Sequence, residues 1–255
     1  MPDMLAGPAA TAVACRAGEP LLGRWTPAPK VTVAVARISE VLASPPALAR
    51  LQPEEHRSAA AMAPWRGREH LAGRALLRLL LAGESGEEEG RLPVLPEPGG
   101  RPRLADRPGT GVSVSHSGPY TAAAVAGGQD VGVDLQLPQP PSPGMLRRCC
   151  PPDTAARLAA LTPERMAYTF ARVWAVQEAC VKARGTGLPG APWKVPADPD
   201  AVAGTWQAVR WRRLAWPTED GTRTAALVCA FAPPGPVSGR QHPPTGTTRH
   251  RASVP

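Results

Sequence analysis

Strands and helices alternate in the same order twice along this chain of 255 residues. The first cycle opens on the segment "VTVAVARI" (31–38), whose apolar residues alternate with a period of two, as expected for a strand. Helical stretches follow it, then short strands, and the cycle begins again near residue 130. This order predicts an α+β fold built from two pseudo-symmetric α/β halves.

The predicted elements define four segments of the chain. We expect a loose N-terminal extension (1–29), an N-terminal half (30–129), a C-terminal half (130–232) and a disordered tail (233–255). Strands are predicted at 31–38, 112–118, 121–126, 131–137, 205–216 and 223–231, and helices at 47–62, 68–83, 145–160 and 163–184.

Two of these elements carry specific local predictions. The strands at 121–126 and 131–137 are expected to form a hairpin through "GGQD". The last helix should begin at Pro163 behind an N-cap at Thr162, and Gly185 should end it.

Charge and cysteine content narrow the classes of partner and compartment. The formal net charge is +8, which favours an anionic partner, but Arg is abundant throughout and only three residues are Lys, so Lys182 stands out. The number of cysteines, five, is odd, and the sequence has no C-x-x-C motif. This excludes a disulfide framework and a zinc site, and it favours a cytoplasmic location. The longest apolar run, "ALLRLLLAG", is too short to span a bilayer.

Two oxygen donors lie on one predicted strand. Asp134 and Gln136 are two residues apart in "GVDLQ", so both side chains should point to the same face. A carboxylate and an amide oxygen suit Mg²⁺, and Glu178 could supply a second carboxylate. Taken alone, Asp134 is better explained as an ordinary residue at a strand end.

Four further motifs each have a structural and a functional interpretation. "SHSG" (115–118) suits phosphate binding or a capped turn, and the basic loop "GGRPR" (99–103) lacks the spacing of a nucleotide-binding P-loop. Arg74 and Arg78 share a helix face that we expect to be solvated. "VRWRRLAW" interleaves Arg with Trp, as in proteins that bind single-stranded nucleic acid, but also reads as a strand with one wet face.

The order of the motifs is more informative than any one of them. "GGRPR", "VSVSHSG", "VGVDLQ" and "WAVQEACVKARGTGL" follow one another, and this series resembles the 4′-phosphopantetheinyl transferase superfamily, specifically its two-domain surfactin-synthetase-activating type. The matching family motifs are G-K/R-P, S-H-S, G-[VI]-D-x-E and W-x-x-K-E-A-x-x-K with a following Gly-x-Gly. The resemblance covers about residues 31 to 232 and implies an active site between the two halves.

The resemblance also implies a reaction and a set of site residues. Coenzyme A would donate its phosphopantetheine arm to a serine of an acyl or peptidyl carrier protein, releasing 3′,5′-ADP, with Mg²⁺ bridging the pyrophosphate. Glu178 would help to deprotonate the serine, and Lys182 would hold the pyrophosphate and offset charge on the leaving group. The residues implied to bind coenzyme A are Arg101, Ser115, His116 and Lys182, and those implied to hold the metal are Asp134, Gln136 and Glu178.

Two positions depart from the family pattern. Gln136 replaces an acid of the metal site, and Gln177 replaces a Lys expected near the phosphates. One alternative is therefore a degenerate homologue that binds coenzyme A or a carrier without turnover, and a second is a basic nucleic-acid-binding protein. Our main hypothesis is a monomeric, cytoplasmic enzyme with neither nucleic acid nor membrane as a partner. The early basic residues that could bind the 3′-phosphate are His56, Arg57, Arg68, Arg74 and Arg78.

Overall fold

The computed structural model describes residues 19–97, 100–216 and 225–234, apart from the side chain of Leu188. Its strands are β1 Gly23–Ala28, β2 Val31–Arg37, β3 Val94–Pro96, β4 Pro102–Leu104, β5 Thr110–Ser117, β6 Tyr120–Gly127, β7 Asp130–Gln136, β8 Ala203–Trp206, β9 Val209–Leu214 and β10 Ala226–Ala232. Its α-helices are α1 Ile38–Leu42, α2 Pro45–Leu48, α3 Pro53–Ala60, α4 Pro64–Ser85, α5 Pro143–Cys149, α6 Pro152–Ala159 and α7 Pro163–Ala183.

Two four-stranded antiparallel sheets form the centre of the α+β fold. The first has the order β1-β2-β6-β5 and the second β7-β10-β9-β8. In the first half, β2 pairs with β6, which also pairs with β5. In the second half, β7 pairs with β10, which also pairs with β9. Thus β2, α4, β5 and β6 occupy places equivalent to those of β7, α7, β9 and β10, and the two halves are pseudo-symmetric.

The sheets pack face to face, with a long helix on each outer side. Val31, Val33 and Val35 of β2 share one apolar cluster with Val131 and Val133 of β7. The intervening residues of β2 face α4, and the outer face of the second sheet packs on α7. Both faces of these strands are therefore buried, which explains their nearly continuous apolar runs.

The predicted hairpin between 121–126 and 131–137 is wrong. β6 pairs with β2 on one side and β5 on the other, so it offers no free edge to β7. Instead, β7 pairs along its whole length with β10, from Asp130 opposite Ala232 to Gln136 opposite Ala226. Gly128, with φ of 71°, lies in the turn where the chain passes from the first sheet to the second.

Three other predictions need correction. Residues 23–28 were expected to be loose but form β1, because they pair with the apolar strand β2 and bury Trp25. The helix predicted at 145–160 is interrupted by Pro151 and Pro152, which begin a new helix rather than continue the old one. The strand predicted at 205–216 is the hairpin β8–β9, which turns at Gln207 with φ of 53°.

The loose N-terminal extension and the disordered tail remain predictions for most of their length. Residues 1–18 and 235–255, which contain most of the extension and the tail, lie outside the described residues. Among the helices that are described, none has the length and apolar character needed to cross a bilayer.

Candidate active site

The site is built where β7 crosses α7, and Gly132 sets their separation. A Cβ on Gly132 would collide with the carbonyl oxygen of Ala179 and the amide nitrogen of Ala183, and would lie 2.9 Å from Cβ of Lys182. The strand therefore lies directly against the helix backbone. This close approach brings Asp134, two residues further along β7, to the side chain of Lys182.

Asp134 and Lys182 form an ion pair that is mostly shielded from water. Nζ of Lys182 donates to Oδ1 of Asp134 at 2.6 Å, and the two side chains are 26% and 7% exposed. Nζ also donates to the hydroxyl of Ser115 and to the carbonyl oxygen of Val133, each at 3.2 Å. The ammonium group thus has a fixed position at the junction of the two halves.

Glu178 lies on α7 one turn before Lys182 and faces the same site. Oδ2 of Asp134 and Oε1 of Glu178 are buried without a hydrogen-bond partner within the described ranges. Burial raises the pKa of Glu178, the carboxylate of Asp134 raises it further, and Lys182 acts in the opposite direction. Burial also raises the pKa of Asp134, against the lowering influence of Lys182 and Ser115. Two buried carboxyl oxygens without partners form an arrangement that a cation would stabilise.

Gln136, two residues after Asp134 on β7, stands where the family motif has an acid. In the part of the chain that the structure describes, no three His, Cys, Asp or Glu side chains group closely enough to hold a metal. The Gln136 amide nitrogen donates to the carbonyl oxygen of Leu137 at 3.0 Å, which leaves the amide oxygen as its potential ligand atom. Mg²⁺ commonly takes one or two protein carboxylates and completes its shell with water and phosphate oxygens, so Asp134 and Glu178 fit it.

Arg101 brings the first half of the chain to the end of α7. Its guanidinium pairs with Asp130, the first residue of β7. A Cβ on Gly185, whose φ is 68°, would lie 3.0 Å from Nη1 and 3.1 Å from Cδ of Arg101. Glycine at this turn thus allows both the left-handed backbone and the close approach of the arginine.

His116 lies at the exposed side of the site. Its Nδ1 is 3.4 Å from Oε2 of Glu69 on α4, and its side chain is 41% exposed. It also lies near enough to Asp134 to lower the pKa of that carboxyl. The structure therefore places His116, Asp134, Ser115 and Lys182 around one point.

The arginines of α4 differ from the solvated pair that the sequence predicts. Arg78 is 1% exposed and donates from Nε and Nη2 to Glu55 at 2.8 and 3.0 Å, and Nη1 donates to the carbonyl oxygens of Gly90 and Leu92. Arg74 is largely buried, and Nη1 has no hydrogen-bond partner in the described structure. Burial is the main cause that lowers the pKa of Arg74. The Glu55–Arg78 pair has no signal in the sequence because its partners come from different helices, α3 and α4.

Gln177 does not face the phosphate side, contrary to the role that the family pattern implies for its position. It is fully buried, and Nε2 donates to the carbonyl oxygens of Cys149 at 2.8 Å and Val195 at 3.2 Å. Its side chain therefore ties α7 to the end of α5 and to the loop before β8. The absence of a Lys here removes no cation that the described geometry would direct at the site.

Two residues of the Arg–Trp strand, Trp211 and Arg213, are buried and cannot contact nucleic-acid bases. Trp211 of β9 is 4% exposed and belongs to the apolar core. Arg213 is 7% exposed, and its guanidinium donates to several backbone carbonyls, including that of Asp198 at 3.0 Å. Arg210 and Arg212 alternate with them: Arg210 is exposed and lies over the ring of Phe231, and Arg212 is half-buried.

A cavity of about 790 Å³ lies at the N-terminal part of α7. Its walls include Tyr168, Arg172, Leu158 and Pro138. None of the predicted site residues lines it, so this cavity is separate from the group of side chains at the β7–α7 crossing.

Known proteins match this chain over much of its length. A family model described as the 4′-phosphopantetheinyl transferase superfamily matches residues 130–226. The 4′-phosphopantetheinyl transferase HetI of Nostoc sp. (strain PCC 7120) is 30% identical over 174 residues, which are 66% of this chain and 73% of HetI. The Synechocystis protein slr0495, provisionally named a 4′-phosphopantetheinyl transferase, is 33% identical over 124 residues, covering 47% of this chain and 50% of slr0495.

Proposed function

Because the chain belongs to the 4′-phosphopantetheinyl transferase superfamily and is a 4′-phosphopantetheinyl transferase acting on carrier proteins, we propose a donor, a cofactor, an acceptor and a mechanism for it. The proposed donor is coenzyme A, the proposed cofactor is Mg²⁺, and the acceptor is a serine of an acyl or peptidyl carrier domain of a polyketide, non-ribosomal peptide or fatty-acid system. The two halves, each with its own sheet and long helix, favour the two-domain surfactin-synthetase-activating type.

The observation that carries the proposal is the group formed by Asp134, Glu178 and Lys182. Two carboxyl oxygens that have no hydrogen-bond partner among the described residues lie beside an ammonium group whose position is fixed by three acceptors. Phosphoryl transfer relies mainly on positioned charge of both signs around the phosphates. The i, i+4 spacing on α7 presents one carboxylate and one cation to the same pyrophosphate.

Glu178 is suited to accept the proton of the attacking serine. The serine oxygen forms the new bond to the β-phosphorus of coenzyme A, and the bond from that phosphorus to the 3′,5′-ADP oxygen breaks. Because burial and Asp134 raise the pKa of Glu178, this carboxylate is more basic than an exposed one. A base whose pKa lies closer to the working pH accepts a proton more effectively.

Lys182 and Mg²⁺ would offset the charge of the leaving group. Asp134 and Glu178 would hold the metal, and the amide oxygen of Gln136 would face it directly or through water. When bound, Mg²⁺ neutralises charge on the pyrophosphate oxygens. Nζ of Lys182, held at its present position by Val133, Ser115 and Asp134, would act on the phosphates through its positive charge.

His116 and Arg101 are proposed to bind phosphates of coenzyme A. The exposed His116 lies beside the Asp134–Lys182 pair, and Arg101 lies at the turn that ends α7. Arg74 is the best supported of the early basic residues as a further phosphate ligand, because one of its nitrogens lacks a partner within the structure described here. Arg78 is fully engaged by Glu55 and backbone carbonyls and has a structural role.

Charge and thiol chemistry support the proposed partner and compartment. Carrier domains are usually acidic, and the net charge of +8 would speed their association with this enzyme. Cys149, Cys150, Cys180 and Cys229 are buried free thiols, which is consistent with the reducing cytoplasm that we propose as its location.

The test is the intact mass of apo carrier proteins after incubation with coenzyme A, Mg²⁺ and the enzyme. Carriers of the polyketide, non-ribosomal peptide and fatty-acid types should be compared, with EDTA and a Glu178→Gln variant as controls. We expect one added phosphopantetheine, lost in both controls. No mass increase on any carrier, with coenzyme A binding retained, would overturn the proposed transfer and favour the degenerate homologue.

A further inference from the structure

Along one side of the two packed sheets, a ladder of serine hydroxyls joins the edge strands β5 and β7. β5 is the last strand of the first sheet and β7 the first strand of the second. They run parallel, and apart from one backbone bridge between Thr110 and Gln129 at their start, the described hydrogen bonds that join them are made by serine side chains. The rungs are Val133 N to Ser113 Oγ at 3.0 Å, Leu135 N to Ser115 Oγ at 3.2 Å and Leu137 N to Ser117 Oγ at 3.0 Å.

The middle rung differs from its neighbours because it also reaches the site. The hydroxyl of Ser115 donates to Oδ1 of Asp134 at 3.0 Å and accepts from Nζ of Lys182 at 3.2 Å. With the amide of Leu135, it has one acceptor and two donors as partners, which is the full capacity of a hydroxyl. Ser115 is also 5% exposed, so its hydroxyl has no capacity left for a phosphate of coenzyme A.

We propose that Ser115 is a positioning residue rather than a ligand of coenzyme A. Its hydroxyl holds Oδ1 of Asp134 next to Lys182 and thereby turns Oδ2 toward the place of the metal. The first half of the chain thus fixes the geometry of Asp134, Glu178 and Lys182, which all lie in the second half. This inference rests on the proposed function only in naming Mg²⁺ as the ion that Asp134 meets.

Ser113 provides a matched control for this role. Its hydroxyl accepts from Val133 N at 3.0 Å, and it is 3% exposed, so Ser113→Ala removes a rung of the same kind from an equally buried place. Ser113 makes no described contact with Asp134 or Lys182. A merely structural role for Ser115 predicts the same consequences for both substitutions.

The experiment measures metal binding without a carrier protein. Mn²⁺ as the probe is titrated into each variant in the presence of coenzyme A and followed by calorimetry. Partners that orient a metal ligand commonly contribute about 10- to 100-fold to metal affinity or activity. We expect Ser115→Ala to weaken Mn²⁺ binding by about 10-fold or more, with Ser113→Ala close to wild type and both variants losing similar thermal stability.

A second variant covers the case in which Ser115→Ala does not fold. Ser115→Cys fills the space of the hydroxyl with a weak donor and weak acceptor, and should give an intermediate loss of Mn²⁺ affinity. In carrier modification, both Ser115 variants should raise the Mg²⁺ concentration for half-maximal rate, whereas Ser113→Ala should not.

The outcomes separate this inference from the proposed function. Equal Mn²⁺ affinity in Ser113→Ala and the Ser115 variants would overturn the positioning role even if the wild type modifies carriers. A specific loss of affinity in the Ser115 variants would support it even if the wild type modified no carrier.

Discussion

Replacing Lys182 with Met should destabilise the fold by an amount that grows with pH. The substitution keeps a long unbranched side chain but removes the ammonium group that lies 2.6 Å from Asp134. Asp134 then remains buried without a cation, and its pKa, already raised by burial, must rise further. At pH values above the ordinary pKa of Asp, the folded variant must either keep this carboxylate charged without a cation or take up a proton. Both cost stability.

Two limits bound the loss of folding stability in Lys182→Met. At 2.6 Å and an effective dielectric constant of about 20, the attraction between Lys182 and Asp134 is roughly 6 kcal/mol. The measured loss must be smaller, because Asp134 can take up a proton instead. With an ordinary Asp pKa near 3.9 and about 1.4 kcal/mol per pH unit, protonation costs about 4 kcal/mol at pH 7 and about 1.5 kcal/mol at pH 5.

The sign of the pH dependence is fixed by linkage. A carboxyl whose folded pKa is raised keeps its proton in the folded state at pH values where the unfolded chain has released it. Stability is therefore highest below the ordinary pKa and falls as the pH rises toward the folded pKa. The wild type has part of this dependence because burial also raises the pKa of its Asp134, so the limits above are upper bounds for the difference.

Urea unfolding in metal-free buffer from about pH 5 to about pH 8 measures this difference. The double variant Lys182→Met/Asp134→Asn is the control, since it removes the charge that the single variant leaves buried. We expect the loss in Lys182→Met to increase with pH and to be largely restored in the double variant. A loss that is independent of pH, or that persists in the double variant, would refute the buried ion pair as its cause.

Three further substitutions test the site and its surroundings. Glu178→Gln should lower the turnover of carrier modification by about 10²–10³, since an amide can neither accept the serine proton nor hold the metal as strongly, and near-normal turnover would contradict both roles. Gln136→Glu should lower the Mg²⁺ concentration for half-maximal rate with little change at saturating Mg²⁺, and an unchanged midpoint would mean that residue 136 does not face the metal. Gln177→Leu should lower the free energy of unfolding by about 1–3 kcal/mol in a denaturation assay, because the buried carbonyls of Cys149 and Val195 lose their donor, while turnover stays near wild type. A large fall in turnover without loss of stability would instead place Gln177 in the site.

Elements specified by local chemistry were predictable from the sequence. The helix expected from Pro163 to Arg184 is α7, Pro163–Ala183, because its cap at Thr162 and the glycine after it act within a few residues. The Glu178–Lys182 spacing lies inside this helix, so their common face could be predicted without knowledge of the fold.

Elements specified by distant partners were not predictable. β7 was assigned to β6 because they are adjacent in sequence, whereas its partner β10 is about ninety residues away. The roles of Gln177 and Arg78 likewise depend on carbonyl and carboxylate groups from other elements. Periodicity shows which face of an element is apolar, but a buried polar residue with a distant partner has no local signal.

Gly132 constrains the position of Asp134 relative to α7. Its backbone φ is not among the positive values, so alanine would suit the local conformation, and only the lack of space excludes a side chain. An added methyl group would have to push β7 away from α7 and would carry Asp134 with it. Catalytic groups must be held to about 0.5 Å, so even the smallest side chain would shift the carboxylate beyond its tolerance. The distance between Asp134 on β7 and Lys182 on α7 is therefore set by the absence of a side chain at residue 132.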